Sequence, residues 1–578
     1  MIKLRRFLKD YKKECIIGPL CKLFEAILEL IVPLVMADII DNGIGNNDEG
    51  YVFKMGGVMV LLAITGFLSA LVCQYFASKA SQGFGTKVRR ALFAHINSLS
   101  YAEIDRIGTP SLITRITNDV NQSQQMVAMS IRLLTRAPFI VIGSIVMAAT
   151  ISIKMSIIFI IAAILIGLVL YFVMTRSIPV FGLMQKKLDK IGLVSRENLS
   201  GNRVIRAFSK QESEKDRIDT TTEDLSVTSI RISRLTALLN PATYVITDVA
   251  IIAIIWFGGI NVNAGSLQTG DIIALVSYMT QILLAMIVVA NLVLLITKGS
   301  ASAARINEIL ETQPSVKEKT KDNIVVNVDE NTPKIAFENV SFSYGGGDDE
   351  LVDVSFEIKR GTTVGIIGTT GCGKTTLVNL IPRFYDTTKG KVLVDGENVK
   401  EYPFRQLREQ FGIVPQQSVL FAGTIRDNMK WNNPDLSDEE IVKALKTAQA
   451  YEFVSKLDRG LDSHVEQGGK NFSGGQRQRL CIARAIAGNP KILMLDDSFS
   501  ALDFATDAAL RKALGEYTHE MTVIIVTQRC STIMNADQIL VLDDGELVGN
   551  GNHKELVRDC ETYREICLSQ LGKTEVEV

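Results

Sequence analysis

The chain has 578 residues and a formal net charge of -1. That length exceeds one compact domain, so two or more are expected, and the near-zero charge excludes a general attraction to nucleic acid or acidic surfaces. Eight cysteines occur singly, without a C-x-x-C pair or metal-ligand spacing, which points to reduced thiols facing the cytosol rather than to disulfides or zinc.

Apolar residues gather in the first 300 positions. Residues 1–14 form a basic amphipathic stretch, and no cleavage pattern follows it. Charge-poor windows then come at 55–78, 137–153, 156–175, 249–270 and 272–297. Crossing a bilayer takes about 17–20 apolar residues. The window 249–270 turns polar after Ile260, so its span starts near Thr236 and includes Asp248. Residues 16–36 supply the first span despite Lys22, Glu25 and Glu29, because the topology needs one there.

Lys and Arg cluster before the first span, between the second and third, and between the fourth and fifth. The remaining connections, including a tight turn at Lys154, are poor in them. Positive loops stay in the cytoplasm. Both termini are therefore expected inside, with six spans in the cell membrane. Residues 1–310 read as an all-α transmembrane domain. The stretches 80–106 and 176–198 have helical spacing and extend the spans into the cytoplasm. They reverse near Gly108-Thr109-Pro110 and Ser200-Gly201, which are places for docking onto a soluble domain.

Charges inside spans are costly and usually face a cavity or a partner. Asp248 has no nearby cation in sequence and either faces a substrate or makes a structural hydrogen bond across helices. Lys22 and Glu25 form a local ion pair, which leaves Glu29 as a second candidate for a substrate cavity.

Residues 311–333 are a charged linker. From 334 to 578, short strands alternate with helices, an α/β pattern. The strand at 363–367 runs into Gly368-Thr369-Thr370-Gly371-Cys372-Gly373-Lys374-Thr375 and then a helix, with Thr376 in its first turn. This is G-x-x-x-x-G-K-T in its strand–loop–helix setting. Its backbone N–H groups close on phosphates, Lys374 reaches the β- and γ-phosphates, and the Thr375 hydroxyl binds Mg²⁺. The strand at 491–496 delivers Asp496 as a second Mg²⁺ ligand. Ser437-Asp438-Glu439-Glu440 reads as a structural helix-capping box.

Between these elements, Asn471-Phe472-Ser473-Gly474-Gly475-Gln476-Arg477-Gln478-Arg479 is similar to the signature of the ABC transporter family. The resemblance covers nearly the whole chain: six spans and then one P-loop nucleotide-binding domain with a helical subdomain, as in an exporter half-transporter. It implies that Tyr344 stacks on the adenine of ATP, that Gln416 contacts Mg²⁺ and senses the transmembrane domain, and that Glu466 meets cytoplasmic loops. Ser500-Ala501-Leu502-Asp503 resembles the loop that crosses the interface between nucleotide domains. The family's head-to-tail pairing implies that Ser473, Gly474, Gly475 and Gln476 complete the ATP site of a partner in trans.

Two positions depart from the pattern. Asp497 stands where the family has a catalytic glutamate, and Gln528 follows the strand at 522–527 where it has a switch histidine. None of His95, His464, His519 and His553 occupies that strand's end. The shorter acid and the neutral amide predict a site that binds ATP and hydrolyses it slowly. The chain thus resembles the degenerate-site subunit of bacterial heterodimeric multidrug exporters. The implied partner is a second half-transporter with Glu and His in place, and the implied cargo is an amphipathic small molecule. Lipid or peptide export, or an ATP-gated regulatory or channel-like role, is the alternative.

Overall fold

The computed structural model describes residues 2–319, 322–326, 329, 331–518 and 521–571. His519 and part of the 311–333 linker lie outside them. The chain divides into two compact units, Met1–Asn97 with Thr109–Glu311, and Ser98–Gly108 with Thr312–Val578.

The first unit is helical. Among the described residues, five helical stretches are long and apolar enough to cross a membrane: Glu49–Ile96, Thr109–Ile151, Ile153–Ser200, Gln211–Asn263 and Thr269–Glu311. The helix Lys12–Asp38, expected as the first of six spans, has 27 residues but is not among these five. The three charges in its 16–36 stretch are paired in place. Lys22 pairs with Glu25 at 2.6 Å, and Arg136 pairs with Glu29 at 2.6 Å. Glu29 is therefore held by a cation from another helix, which spacing along the chain did not reveal. The wholly buried Tyr278 donates its hydroxyl to the Leu30 carbonyl at 2.6 Å and ties Lys12–Asp38 to Thr269–Glu311.

Two expected boundaries move. The turn placed at Lys154 falls at Ser152, whose extended backbone (φ -157°, ψ 117°) breaks the helix two residues earlier. The extension expected over 80–106 stops at Ile96. A separate helix, Tyr101–Ile107, starts from a capping box in which Ser100 and Glu103 satisfy each other's backbone N–H groups. The other extension is continuous through Ser200 and ends at Gly201.

Tyr101–Ile107 belongs to the second unit rather than to the helical one, as its contacts explain. Tyr101 packs on Phe384 with ring centroids 4.7 Å apart, and Tyr385 donates its hydroxyl to Asp105 at 2.8 Å. The backbone N–H groups of Ser315 and Val316 donate to Glu103 and Ser100.

The rest of the second unit is built on β1 (Ile335–Phe342), β2 (Leu351–Ile358), β3 (Thr363–Gly368), β4 (Lys389–Val394), β5 (Glu397–Asn398), β6 (Phe411–Val414), β7 (Gly423–Thr424), β8 (His464–Val465), β9 (Ile492–Asp496), β10 (Thr522–Val526), β11 (Gln538–Asp543) and β12 (Glu546–Gly551). One sheet has the order β2-β1-β4-β5 and is antiparallel. The main sheet has the order β12-β11-β3-β10-β9-β6 and is parallel except at β12. Parallel strands are covered on both faces and read as continuous apolar runs; β10, Thr-Val-Ile-Ile-Val, is buried throughout. Helices Asp438–Thr447 and Gly474–Ala487 pack into the core on one side of this sheet. The expected capping box holds: the Ser437 N–H donates to Glu440 at 2.8 Å.

A buried ion pair ties the ends of β1 and β4, and a hydrogen bond from its lysine reaches the start of β6 in the main sheet. Lys334, 2% exposed, donates to Asp395 at 2.9 Å and to Gln410 at 2.9 Å, and Arg360 donates to the same Asp395 carboxylate. Removing one partner of such a pair leaves a buried charge behind, a cost of about 3 kcal/mol. Lys334→Met is therefore expected to lower the thermal midpoint of the full-length protein by on the order of 10 °C. The measurement is intrinsic-fluorescence melting, and an unchanged midpoint would show that Arg360 alone suffices for Asp395.

Candidate nucleotide site

Three neighbouring strands carry the site at their C-terminal ends. β3 leads into the phosphate loop, β9 ends at Asp496, and β10 runs into Gln528. Val526 is paired with Ile366 on one side and with Asp496 on the other, so all three ends are level. Open parallel α/β sheets place ligands at this edge.

The loop between β3 and helix Lys374–Leu380 turns tightly. Gly371 (φ 88°) and Gly373 (φ 91°) occupy left-handed conformations that side chains disfavour. A Cβ on Gly368 would sit 2.1 Å from the Leu542 carbonyl oxygen, so no larger residue fits there. Lys374 is buried and its ammonium bonds the carbonyls of Gly368 and Thr369 at 2.9 and 2.5 Å, with Cys372 Sγ at 3.5 Å. Three of the expected loop residues thus hold the lysine rather than line the cavity.

A cavity of about 220 Å³ opens over the loop. Its walls include Thr370, Gly371, Gly373, Lys374, Thr375, Thr376, Gln416, Asp496, Asp497 and Gln528. Thr370 and Gln528, 158 positions apart in sequence, are thereby brought to one space. Tyr344 stands beside it, its hydroxyl 3.2 Å from Thr376 Oγ1 and its ring half-exposed, as a base-stacking surface must be. Glu350, which also lines the cavity, carries no motif that would have singled it out. Tyr385 escaped notice for the same reason; with Tyr101 it lines an adjoining cavity of about 260 Å³ that reaches Gln416 and Asp496.

Thr375 Oγ1 donates to Asp496 Oδ2 at 3.1 Å. Burial pushes the Asp496 carboxyl above the usual carboxylate range; the Thr375 hydrogen bond opposes this and the Asp497 charge adds to it. A half-buried acid under that strain, beside a hydroxyl and the Gln416 amide, is a hard-oxygen set of the kind that holds Mg²⁺ with phosphate oxygens. Asp497 has φ 46°, a left-handed conformation that aspartate tolerates better than glutamate. Its backbone is pinned by a hydrogen bond from its N–H to Val526 O at 2.9 Å and one from Ser500 Oγ to its carbonyl at 2.9 Å. The acid's reach is therefore set by side-chain length alone.

The signature residues lie elsewhere. Ser473 caps helix Gly474–Ala487, accepting from the Gln476 N–H at 3.3 Å, and the Ser473 N–H donates to Gln476 Oε1 at 3.0 Å. Ser473 and Gly474 are exposed, and among the described residues none of Ser473–Gln476 lines the 220 Å³ cavity. Asp248 and Glu29 belong to the helical unit. Asp248 is exposed on helix Leu239–Asn263.

Residues 15–286 match the ABC transporter transmembrane region, and residues 351–500 match the ABC transporter nucleotide-binding family. The chain is 38% identical to an ABC transporter ATP-binding protein of Mycobacterium tuberculosis, over 98% of this chain and 97% of that one. It is 37% identical to the ABC transporter ATP-binding protein YfiB of Bacillus subtilis, over 99% of each. An ATP-dependent lipid A-core flippase of Vibrio vulnificus is 29% identical over 99% of this chain and 97% of its own. In fold it resembles a bacterial Atm1-family ABC exporter with ATP bound, with a TM-score of 0.81 over 97% of this chain and 99% of that one, at 24% identity.

Among the described residues, Lys374 supplies the one buried cation in the cavity wall. Charge-assisted hydrogen bonds contribute about 1.5–3 kcal/mol, so Lys374→Ala is expected to weaken MgATP binding at least about tenfold. Fluorescent-nucleotide titration of the full-length protein reads this directly, and an unaltered affinity would move the phosphates away from this loop.

Proposed function

The chain belongs to the ABC transporter family, and on that footing we propose that it is one half of a heterodimeric exporter whose own phosphate site holds ATP and turns it over slowly. The family makes the nucleotide unit an ATPase coupled to transport across a membrane. The finer reading rests on one observation: both departures from the family pattern, Asp497 and Gln528, line the same 220 Å³ cavity as Lys374 and Asp496.

Phosphoryl transfer asks a protein mainly for positioning and charge. An aspartate arm is shorter than a glutamate arm by about 1.5 Å, one carbon–carbon bond. Misplacement by about 1 Å costs on the order of a hundredfold in rate. Gln528 cannot become a cationic donor. Binding, in contrast, needs neither residue. It would rest on the phosphate loop, on Tyr344 and on Thr375, Gln416 and Asp496, which line or adjoin the same cavity and would hold Mg²⁺; the ion when bound would neutralise charge on the β- and γ-phosphate oxygens.

The signature helix carries Ser473–Gln476 at its N-terminus, where Ser473 and Gly474 are exposed and none of the four lines the chain's own 220 Å³ cavity, which supports use on another chain's ATP. A partner with Glu and His at the two positions would then own the fast site. ATP retained in the slow site keeps the two nucleotide domains in contact between cycles. Helix Tyr101–Ile107, docked beside Tyr385 and Phe384, carries the motion of the nucleotide unit toward the spans.

Helix Lys12–Asp38 is the sixth span in this account. Its 27 residues measure about 40 Å at 1.5 Å per residue, enough to cross, and its charges are paired. The Lys and Arg distribution keeps both termini in the cytoplasm. The cargo is an amphipathic small molecule, with Asp248 available to a cationic group. A lipid cargo is the second reading, favoured by the flippases at 29% identity.

Purified alone as a symmetric dimer, the chain is expected to hydrolyse ATP about a hundredfold more slowly than the double variant Asp497→Glu/Gln528→His. The left-handed backbone at Asp497 opposes part of that gain. Phosphate release by the two proteins is the measurement. Rapid hydrolysis by the unaltered chain, abolished by Lys374→Ala, would end the proposal.

A further inference from the structure

Behind the loop that carries Gln528 lies a cluster the nucleotide site does not use. Cys530 opens the short helix Cys530–Ile533, His553 opens helix His553–Asp559, and Tyr563 and Cys567 lie one turn apart on helix Glu561–Gln570. Cys530, Tyr563 and Cys567 are fully buried, while His553 reaches solvent at its edge. The two sulfurs and a ring nitrogen of His553 lie within 4.8 Å of one another. The Tyr563 hydroxyl stands among them, 2.8 Å from His553 Nδ1 and 3.5 Å from Cys530 Sγ.

We propose that Cys530, His553 and Cys567, with the Tyr563 oxygen as fourth donor, form a binding site for a soft divalent cation of the zinc type. Two thiolates and an imidazole are the donor set that selects zinc over the hard cations taken by carboxylates. In a tetrahedral site with Zn–S near 2.3 Å and Zn–N near 2.0–2.1 Å, the donor atoms stand roughly 3.3–3.8 Å apart. The donors here need to draw in by about 1 Å at most, which side-chain rotation supplies. Charge also balances: each thiol gives up its proton to solvent, and two thiolates neutralise the dication in a pocket that has no other charge-bearing group among its donors. The three ligands lie 23 and 14 positions apart, so no short spacing motif reveals them; the fold alone assembles them.

The site has a route to the nucleotide pocket. The Cys530 N–H donates to Gln570 Oε1 at 2.8 Å, and Gln570 Nε2 donates to the Gln528 carbonyl at 2.6 Å. A cation tying Cys567 to Cys530 therefore clamps the C-terminal helix to the loop bearing Gln528. None of the donors lines the phosphate cavity, so occupancy stiffens that loop without competing with ATP.

The test uses the full-length protein in lipid nanodiscs, kept reduced, stripped with chelator and titrated with Co²⁺ as a spectroscopic stand-in. One equivalent is expected to give the thiolate-to-cobalt charge-transfer absorption and the visible bands of a tetrahedral site, both erased by Zn²⁺. Cys530→Ser and Cys567→Ser should abolish the signal. Because buried substitutions can disturb folding, the partly exposed His553→Ala is the second variant; it should weaken Zn²⁺ binding about a hundredfold or more while MgATP binding is retained. Absence of the thiolate spectrum in the unaltered protein overturns the site, as does a spectrum that survives both cysteine substitutions. Mass-spectrometric recovery of Cys530 and Cys567 as a disulfide under the same reducing conditions overturns it too.

Discussion

Everything chemical in this protein hangs on the level register of three parallel strands. Val526 of β10 pairs with Ile366 of β3 and with Asp496 of β9, so the phosphate loop, the acidic pair Asp496–Asp497 and Gln528 emerge at one height. A slip of one residue would exchange the two buried faces of the slipped strand, misfit its side chains against both covering layers and carry Asp496 away from Thr375. The buried apolar runs of β9 and β10 fix the register, because both faces of the sheet are covered. The polar site is therefore positioned by an apolar constraint.

On the proposed reading, the same geometry lets a site keep its ligand and lose its rate. Binding groups sit on the loop and the strand tips, held by backbone hydrogen bonds. Asp497 and Gln528 are side-chain terms at the rim. Shortening one and neutralising the other leaves the cradle untouched. Since none of Ser473–Gln476 lines the chain's own 220 Å³ cavity, the proposed reading gives those residues to a second site and makes asymmetry between two halves the economical arrangement.

Motifs with a local physical mechanism were legible from residues alone. The phosphate loop needs glycines where φ is positive, and Gly371 and Gly373 are there. The Ser437–Glu440 box and the Lys22–Glu25 pair are contacts within one turn, so spacing reveals them. Non-local contacts were not legible. Glu29 meets Arg136 from 107 positions away. Tyr385 and Tyr101 find each other only because the chain returns, and so the spacing over 80–106 shows a continuous helix where the structure has a separate one, Tyr101–Ile107. The Ser100–Glu103 capping box was visible in sequence and would have marked that break. The helix Lys12–Asp38 is hard to read for a related reason: Lys22, Glu25 and Glu29 look prohibitive until their partners are seen.

The claim that ATP persists in the Asp497 pocket is tested most directly by a single-turnover experiment on the chain alone in lipid. Radiolabelled ATP is bound at less than one equivalent per chain, excess Mg²⁺ is added, and the bound nucleotide is identified over time after acid quench. The account requires that the protein-bound label remain ATP long after a competent family site would have produced ADP. Conversion of the bound label to ADP within the first seconds would contradict it.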